Sequence, residues 1–342
     1  MNGGQIGYYV HHHGEGHRRR AQAIAAQAPG RFTLIGTGVT GLFGPFEVLE
    51  LPDDRSDGGF SGEDGAADRP DALHYAPIDH SGVRDRMRLI AAWIAERRPA
   101  LMVVDVSVEV AMLARLCATP TVYVRLAGAR WDPAHLDAFR GAKALLAPFD
   151  PRCEADDVPD WVRAKTVYAS GLGSFPPAGN RTDNVVLVAF GRGGSRITAQ
   201  DIDEAARATP DRRWRVIGRV ERPTQAPSNL DVAGWVDDAA DEIGVAAVVV
   251  GGAGDGVLAA VAAAERPFVC IPEDRPFAEQ HAKAAALDRA GAAVVLSRWP
   301  SASAWPRVLQ QAEALDHRRI ASFHDANGAG SAASLIERWA DR

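Results

Sequence analysis

Two short stretches of this 342-residue chain hold groups that chemistry can use. The first is His11-His12-His13-Gly14-Glu15-Gly16-His17-Arg18-Arg19-Arg20. An imidazole titrates near neutral pH, so a histidine held beside a glycine turn can take the proton of a hydroxyl as that oxygen forms a new bond. Gly14, Gly16, His17 and Arg20 make a Gly-x-Gly-His-x-x-Arg pattern, in which His17 is a histidine that could play this part. Its alternative role is to cap a helix or bond to backbone. Successive helical residues point about 100° apart, so the three arginines do not form one patch. Arg20 is the one that fits the pattern, steadying the loop or touching a phosphate, while Arg18 and Arg19 read as solvated. A metal reading of His11, His12 and His13 is weaker. Three adjacent side chains do not converge, and Glu15 is the only acid nearby in sequence, so no metal is expected.

The second stretch is Val248-Val249-Val250-Gly251-Gly252-Ala253-Gly254-Asp255-Gly256, followed by an alanine-rich helix. Glycines let a backbone approach a ligand closely, and the helix behind them offers free N–H groups and a positive dipole end to an anion such as a diphosphate. A packing turn is the plainer alternative. Phe190-Gly191-Arg192-Gly193-Gly194-Ser195 is a similar turn after an apolar strand, with Arg192 and Ser195 as potential anion partners. Asp105 ends the apolar run Leu101 to Val104. Strand C-termini line the cleft of doubly wound sheets, so this carboxylate is placed to orient His17 and stabilise its imidazolium; helix capping is the alternative.

The elements needed to hold these groups alternate along the chain. Strands are expected at Ile6 to Val10, Phe32 to Ile35, Val48 to Leu51, Leu101 to Val104 and Thr121 to Val124, with helices at about His17 to Ala28, Val83 to Glu96 and Glu109 to Cys117. Asp53 to Asp71 is a Gly/Asp/Ser-rich loop. A second series gives strands at Val185 to Phe190, Trp214 to Ile217, Asp231 to Ala233, Ala246 to Val250 and Pro267 to Ile271, and a final helix at Ser331 to Ala340. Such alternation implies an α/β chain with parallel sheets and right-handed crossovers. Gly171, Gly173, Pro176, Pro177 and Gly179 mark a linker.

Length and composition agree. The chain is long enough for two domains, and 46% hydrophobic residues suffice for ordinary cores. A net charge of −6 disfavours nucleic acid as a partner. Cys117, Cys153 and Cys270 are far apart and suggest a reduced, cytoplasmic protein. No apolar run reaches the roughly 20 residues needed to cross a bilayer, and the first residues do not read as a signal peptide.

Gly252-Ala253-Gly254, Pro267, Pro272, Gln280 and Gly291-Ala292-Ala293 stand at matching spacing to the nucleotide-sugar site of GT-B glycosyltransferases. The chain resembles the family 28 branch, which includes the N-acetylglucosaminyl transferase of peptidoglycan assembly. The loop pattern around His17 is also similar to that of a nucleotide-sugar hydrolase of nonulosonic-acid synthesis. The resemblance implies two Rossmann-like doubly wound domains facing a central cleft. An acceptor-binding domain would span 1–169, a linker 170–183 and a nucleotide-sugar domain 184–327. The helix in 328–342 would cross back to the first domain.

By the same resemblance His17 is the general base, supported by Asp105, and His13, Gly14, Gly16 and Arg20 lie on the acceptor side. Gly191, Arg192, Gly193 and Ser195 approach the diphosphate or the transferring sugar. The main chain at Val236 reads the base, with Trp235 as wall; Gly252, Ala253, Gly254, Asp255 and Gly256 face the diphosphate; Gln280 bonds the sugar hydroxyls. The chain departs from the family at Ala260, where a glutamate usually holds the ribose, with Asp255 a candidate substitute, and at Glu265-Arg266, which displaces a glycine. The implied activity is metal-independent, inverting transfer of a hexosyl or N-acetylhexosaminyl group. The donor is a nucleotide diphosphate sugar, expected to be UDP-linked, which serves as co-substrate with no further cofactor. The acceptor is a glycan, lipid-linked molecule or natural product, and peripheral membrane association is compatible with the last two. Two rivals keep the fold: a hydrolase in which His17 activates water, and a binding protein without catalysis. An epimerase is weaker, because its clustered acids are not visible.

Overall fold

The computed structural model describes residues 4–12, 14–42, 44–55, 66–173, 182, 184–191, 196–218, 220–236 and 238–342. His13, Arg192, Gly193 and Ser195 fall outside the described residues, as does most of the expected linker and the middle of the Asp53 to Asp71 loop.

Seven strands build the first sheet: β1 (Ile6–Tyr9), β2 (Phe32–Gly36), β3 (Glu47–Glu50), β4 (Leu101–Asp105), β5 (Thr121–Val124), β6 (Ala144–Ala147) and β7 (Thr166–Tyr168). Helices α1 (Glu15–Ala25), α2 (Ser81–Arg97), α3 (Val108–Leu116), α4 (Pro133–Gly141) and α5 (Asp160–Lys165) fall between them. The order is β3-β2-β1-β4-β5-β6-β7, with every pairing parallel. Helices cover both faces, so the central strands are continuous apolar runs rather than alternating ones. In β4, Leu101 and Val103 enter one core while Met102 and Val104 enter the other.

Six strands form the second sheet: β8 (Val185–Ala189), β9 (Arg213–Ile217), β10 (Leu230–Gly234), β11 (Val248–Gly251), β12 (Phe268–Cys270) and β13 (Val294–Val295). Their order is β10-β9-β8-β11-β12-β13, again all parallel. The accompanying helices are α6 (Ala199–Ala208), α7 (Ala239–Val245), α8 (Asp255–Ala263), α9 (Glu279–Arg289), α10 (Trp305–Glu313) and α11 (His317–Ala321). In β11, Val249 faces one core and Val248 and Val250 the other.

The strand order reverses between β1 and β4 in the first sheet and between β8 and β11 in the second. Connections leave such a switch point in opposite directions and open a crevice at the strand C-termini. His17 follows β1 and Asp105 ends β4; Gly191 follows β8 and the Gly252 turn follows β11. The topology alone therefore carries all four segments to crevices.

The last helix, α12 (Gly328–Ala340), returns to the first half. Ala332, Ala333 and Ile336 share a core with Ile6, Tyr8 and Ala21. Arg31 pairs with Glu337 at 3.6 Å and Asp341 at 3.1 Å, and Lys143 Nζ donates to the Trp339 carbonyl at 2.7 Å. Backbones interlock where this helix begins: a Cβ at Gly328 would lie 1.8 Å from the Ser170 carbonyl oxygen. The halves are less separate than a boundary near 169 implies. Ala147, Phe149 and Cys153 pack into the core of α8 and α9, because the chain beyond β6 runs under the second sheet's helices. All three cysteines are free thiols. Among the described residues no helix is long and apolar enough to cross a membrane.

Candidate active site

His17 sits in the first turn of α1, which starts after Gly14. Gly14 has φ 102°, a conformation L side chains rarely adopt, so glycine at this position lets the chain turn from β1 into the helix. Arg20 follows three residues later on the same helix face. On the neighbouring strand, Asp105 is fully buried at the C-terminal end of β4. Val106, just beyond it, has φ 53°, an outlier for a β-branched residue. Its N–H donates to the Val124 carbonyl at 3.2 Å and its own carbonyl accepts from the Tyr123 hydroxyl at 2.6 Å, so both backbone groups remain paired through the sharp exit from the strand.

These elements close a buried network. His17 Nδ1 lies 3.0 Å from Asp105 Oδ2. Arg20 Nη2 donates to both Asp105 oxygens at 3.0 Å and stands 2.9 Å from His17 Nδ1. Arg20 already supplies its proton to the carboxylate, so the tautomer that satisfies all three groups puts hydrogen on Nδ1 and leaves Nε2 as the acceptor. Burial alone would push the Asp105 carboxyl up, but the charges of Arg20 and His17 and their hydrogen bonds hold it below the usual carboxylate range. Arg20 reaches further: its Nη1 lies 3.6 Å from Asp255 Oδ2 in the second half, and Asp255 is also paired with the buried Lys283. Two cations and two anions balance here, and a protonated His17 would leave the cluster at net +1. Asp255, the candidate substitute for the family's ribose-binding glutamate, is thus engaged by two cations.

Across from this network lies the turn before α8. The helix begins at Asp255 with Gly254 as N-cap and no side-chain cap. Leu258 N–H is the first to bond within the helix, to the Gly254 carbonyl at 3.0 Å, so the preceding amides lack helical partners. A Cβ at Gly256 would meet nothing within 4 Å. Gln280 is anchored at its carbonyl end. Its Oε1 accepts from the backbone N–H groups of Ala253 and Glu273, both at 3.0 Å, so the carbonyl end staples the glycine turn to the β12–α9 loop. The amide of Ala253 is likewise turned toward Gln280. Only Nε2 of Gln280 remains to meet a ligand.

Both sets of groups line one cleft of 1590 Å³. His17, Arg20, Gly14 and Gly16 contribute to one wall, and Gly191, Val236, Gly252, Gly254, Asp255, Gly256 and Gln280 to the other. Ala260 lines it as well, and Trp235 is 45% exposed beside Val236. Contacts also cross the cleft. Ala129 N–H donates to the Phe277 carbonyl at 2.8 Å, and Arg130 pairs with Glu279 at 3.2 Å. Arg19, expected to be solvated, lies 3.8 Å from Asp238, and Arg18 donates to the Thr37 carbonyl at 3.3 Å.

The histidine loop has acids beside it after all. His12 Nε2 lies 3.3 Å from Asp54 Oδ1, and Asp53 and Asp54 approach it closely enough to form a potential ligand group. They come from the segment after β3, some 40 residues away, which corrects the reading that Glu15 is the only nearby acid. Arg86 already pairs with Asp54, and Arg55 with Asp53. Burial lowers the His12 pKa, against the opposing pull of Asp54. The His11 ring stacks on His12, with centroids 5.0 Å apart, and lies tilted against His17 at 5.2 Å. Sequence reasoning missed a third histidine cluster on the same cleft, His74 and His135 about Asp132. Asp132-Pro133 is a helix-start signal with His135 three residues on, but nothing local ties His74 to it.

Two parallel doubly wound sheets, with switch points opening on one cleft and a final helix returned to the first half, define the GT-B glycosyltransferase fold. No protein-family model matches the chain, and no curated protein sequence does either. Solved structures do match over essentially their whole length. The glycotransferase of kitacinnamycin aligns at TM-score 0.69 and 17% identity, covering 99% of this chain and 100% of its own. MurG of Acinetobacter baumannii aligns at TM-score 0.63 and 14% identity, covering 98% and 99%. A UDP-glucosyltransferase from Polygonum tinctorium capable of glucosylating indoxyl aligns at TM-score 0.69 and 14% identity, covering 100% of both.

Proposed function

We propose that this protein is a glycosyltransferase that moves a sugar from a nucleotide diphosphate donor, UDP-linked, to an acceptor hydroxyl with inversion, His17 serving as general base. The observation that carries the proposal is His17 on one wall of the cleft, backed by the buried Asp105, with the open first turn of α8 on the other. In this reading Nε2 of His17 takes the acceptor's proton as the acceptor oxygen attacks the anomeric carbon. The bond from that carbon to the diphosphate oxygen breaks, and the nucleotide diphosphate leaves with the electron pair. Attack from the side opposite the leaving group inverts the anomeric centre.

Each charge that develops has a partner. Asp105 faces the imidazolium, and the α8 amides face the leaving diphosphate, fixed before reaction and so requiring little reorganisation. Transfer in this form needs no metal at the leaving group. The nucleoside is read against Val236 and Trp235, and Nε2 of Gln280 bonds the transferring sugar.

A donor screen tests the proposal. At 100 times its dissociation constant a true donor stabilises the fold by about 2.7 kcal/mol, visible as a raised melting temperature. With that donor and an acceptor library, the product should carry the inverted anomeric configuration. Stoichiometric release of free sugar without acceptor would instead identify a hydrolase, and binding without turnover a non-catalytic protein.

A further inference from the structure

One cluster on the cleft takes no part in the transfer just described. Asp132 is the N-cap of α4, its Oδ1 accepting from the His135 backbone N–H at 3.1 Å. The same Oδ1 lies 2.7 Å from His74 Nε2, and Oδ2 lies 2.6 Å from His135 Nδ1. The two imidazoles meet edge to face, with centroids 4.1 Å apart. One donor atom from each of the three residues lies within 4.8 Å of the others. Their segments are held independently. Glu109 Oε1 accepts from the backbone N–H groups of His74 at 2.6 Å and Tyr75 at 2.9 Å, fixing the His74 segment to α3. On the far side the Phe277 ring packs 5.0 Å from His135 and 6.0 Å from His74.

We propose that His74, Asp132 and His135 form a binding site for a divalent transition-metal ion of the zinc class. Two imidazole nitrogens and one carboxylate oxygen are a donor set that such an ion accepts, at about 2.0–2.2 Å per bond. Tetrahedral bonds of that length place donor atoms about 3.3 Å apart. Coordination therefore lengthens the two histidine–carboxylate contacts by roughly half an ångström or slightly more and brings the two ring nitrogens, now within 4.8 Å, to a similar separation. In the coordinated state each ring carries its proton on the nitrogen turned away from the ion, and the ion takes the place of the contacts that now join the two rings to Asp132. The remaining position opens on the cleft that all three residues line, where water or an acceptor oxygen would complete the shell.

Charge distinguishes this group from the other histidine–carboxylate cluster. Asp53 and Asp54 are already neutralised by arginines, so a metal ion there would have to compete with guanidinium groups. No arginine or lysine pairs with Asp132 among the described residues. Two arginines stand near the cluster without pairing with that carboxylate: Arg69 donates to the His74 carbonyl at 2.6 Å, and Arg130 is occupied by Glu279 and lies over the Phe277 ring, 4.3 Å from its centroid. The proposal goes beyond the transferase reading and does not depend on it.

The test uses the full chain, freed of metal by chelation and titrated with zinc chloride in competition with a chromophoric chelator. One zinc ion per chain is expected at the site. His74→Ala and Asp132→Asn should each weaken it by at least about tenfold. Asparagine keeps the helix cap, and the His74 side chain is 29% exposed, so both variants are chosen to keep the fold, which melting in chelator verifies. His12→Ala should leave zinc affinity unchanged. X-ray absorption of the zinc-loaded protein, which needs no variant, should show two imidazole ligands. Absence of stoichiometric zinc, zinc binding indifferent to both substitutions, or a shell without imidazole would overturn the proposal.

Discussion

His17 Nδ1 and Asp105 Oδ2 stand 3.0 Å apart, although 88 residues of chain separate them. Their adjacency follows from strand order: β1 and β4 pair directly, so residues just past their C-termini meet. If this contact sets the tautomer of a general base, the two positions fail differently. His17→Ala should lose transfer by about 10²–10⁴-fold while keeping nucleotide affinity. Asp105→Asn keeps the shape but no longer favours hydrogen on Nδ1, and it leaves the buried Arg20 with only the more distant Asp255, which is shared with Lys283. It should lose activity and also about 3–5 kcal/mol of stability. Initial rates, nucleotide calorimetry and urea denaturation of both variants separate these effects. Equal loss of nucleotide affinity and rate in His17→Ala would make the loop a binding element instead.

Arg20 controls the charge of Asp105, which gives a pH signature. In the native protein the Asp105 carboxyl is held below its unfolded value, so its contribution is fully present above about pH 3.9 and is lost as pH falls through the lower folded value. In Arg20→Met, burial dominates and the folded value should rise above the unfolded one. The sign then reverses, and the variant should lose stability as pH rises from about 4 toward neutrality. Denaturation midpoints at several pH values measure this directly. Parallel profiles for the two proteins would show that another group holds Asp105 ionised.

Much of this site could be read in advance. Gly14, His17 and Arg20 announce themselves by type and spacing, and Asp105 by ending an apolar strand. What escaped was set by long-range geometry. The Arg20–Asp255 contact depends on how the two sheets face each other, which no local pattern encodes. His74 and Asp132 are 58 residues apart and meet through the placement of α3 and α4. Gln280 was visible, but not that its carbonyl would be consumed by two backbone amides. Among the elements, β7 and β13 are short and only partly buried, so neither hydrophobic alternation nor an apolar run marks them.

Glycines of the α8 turn should respond according to what surrounds them. A Cβ at Gly252 would fall 2.6 Å from Gln280 Oε1, so alanine there must push away the group that satisfies two buried amides. Gly252→Ala should lower stability by about 1–3 kcal/mol, and Gln280→Ala by a similar amount. Gly256→Ala faces open space and should leave the melting temperature within a degree or two of wild type, since surface changes usually stay within about 0.5 kcal/mol. Its methyl group would nevertheless stand in the cleft where the nucleotide is proposed to bind, so nucleotide affinity should fall. Unchanged affinity in Gly256→Ala would move the diphosphate away from this helix.

Asp255 and Lys283 offer the sharpest test of how the second half tolerates charge. Lys283 is fully buried, and burial alone would lower its pKa, but the Asp255 carboxylate raises it above the ordinary lysine value. The pair therefore contributes stability that is fully present below the unfolded lysine value near pH 10.4 and lost as pH rises through the higher folded value. Asp255→Asn removes that support and should cost about 3–5 kcal/mol, because a buried ammonium is left without its anion. The folded lysine value should then fall below the unfolded one, so the variant should gain stability as pH rises between the two. Adding Lys283→Met should recover much of the loss, since a buried pair replaced by uncharged groups of similar size is often close to neutral. Arg20 modulates the recovery, because it also faces Asp255. A double variant no more stable than Asp255→Asn would mean that the carboxylate's main partner is Arg20, and that the bond between the two halves matters more than the pair within the second.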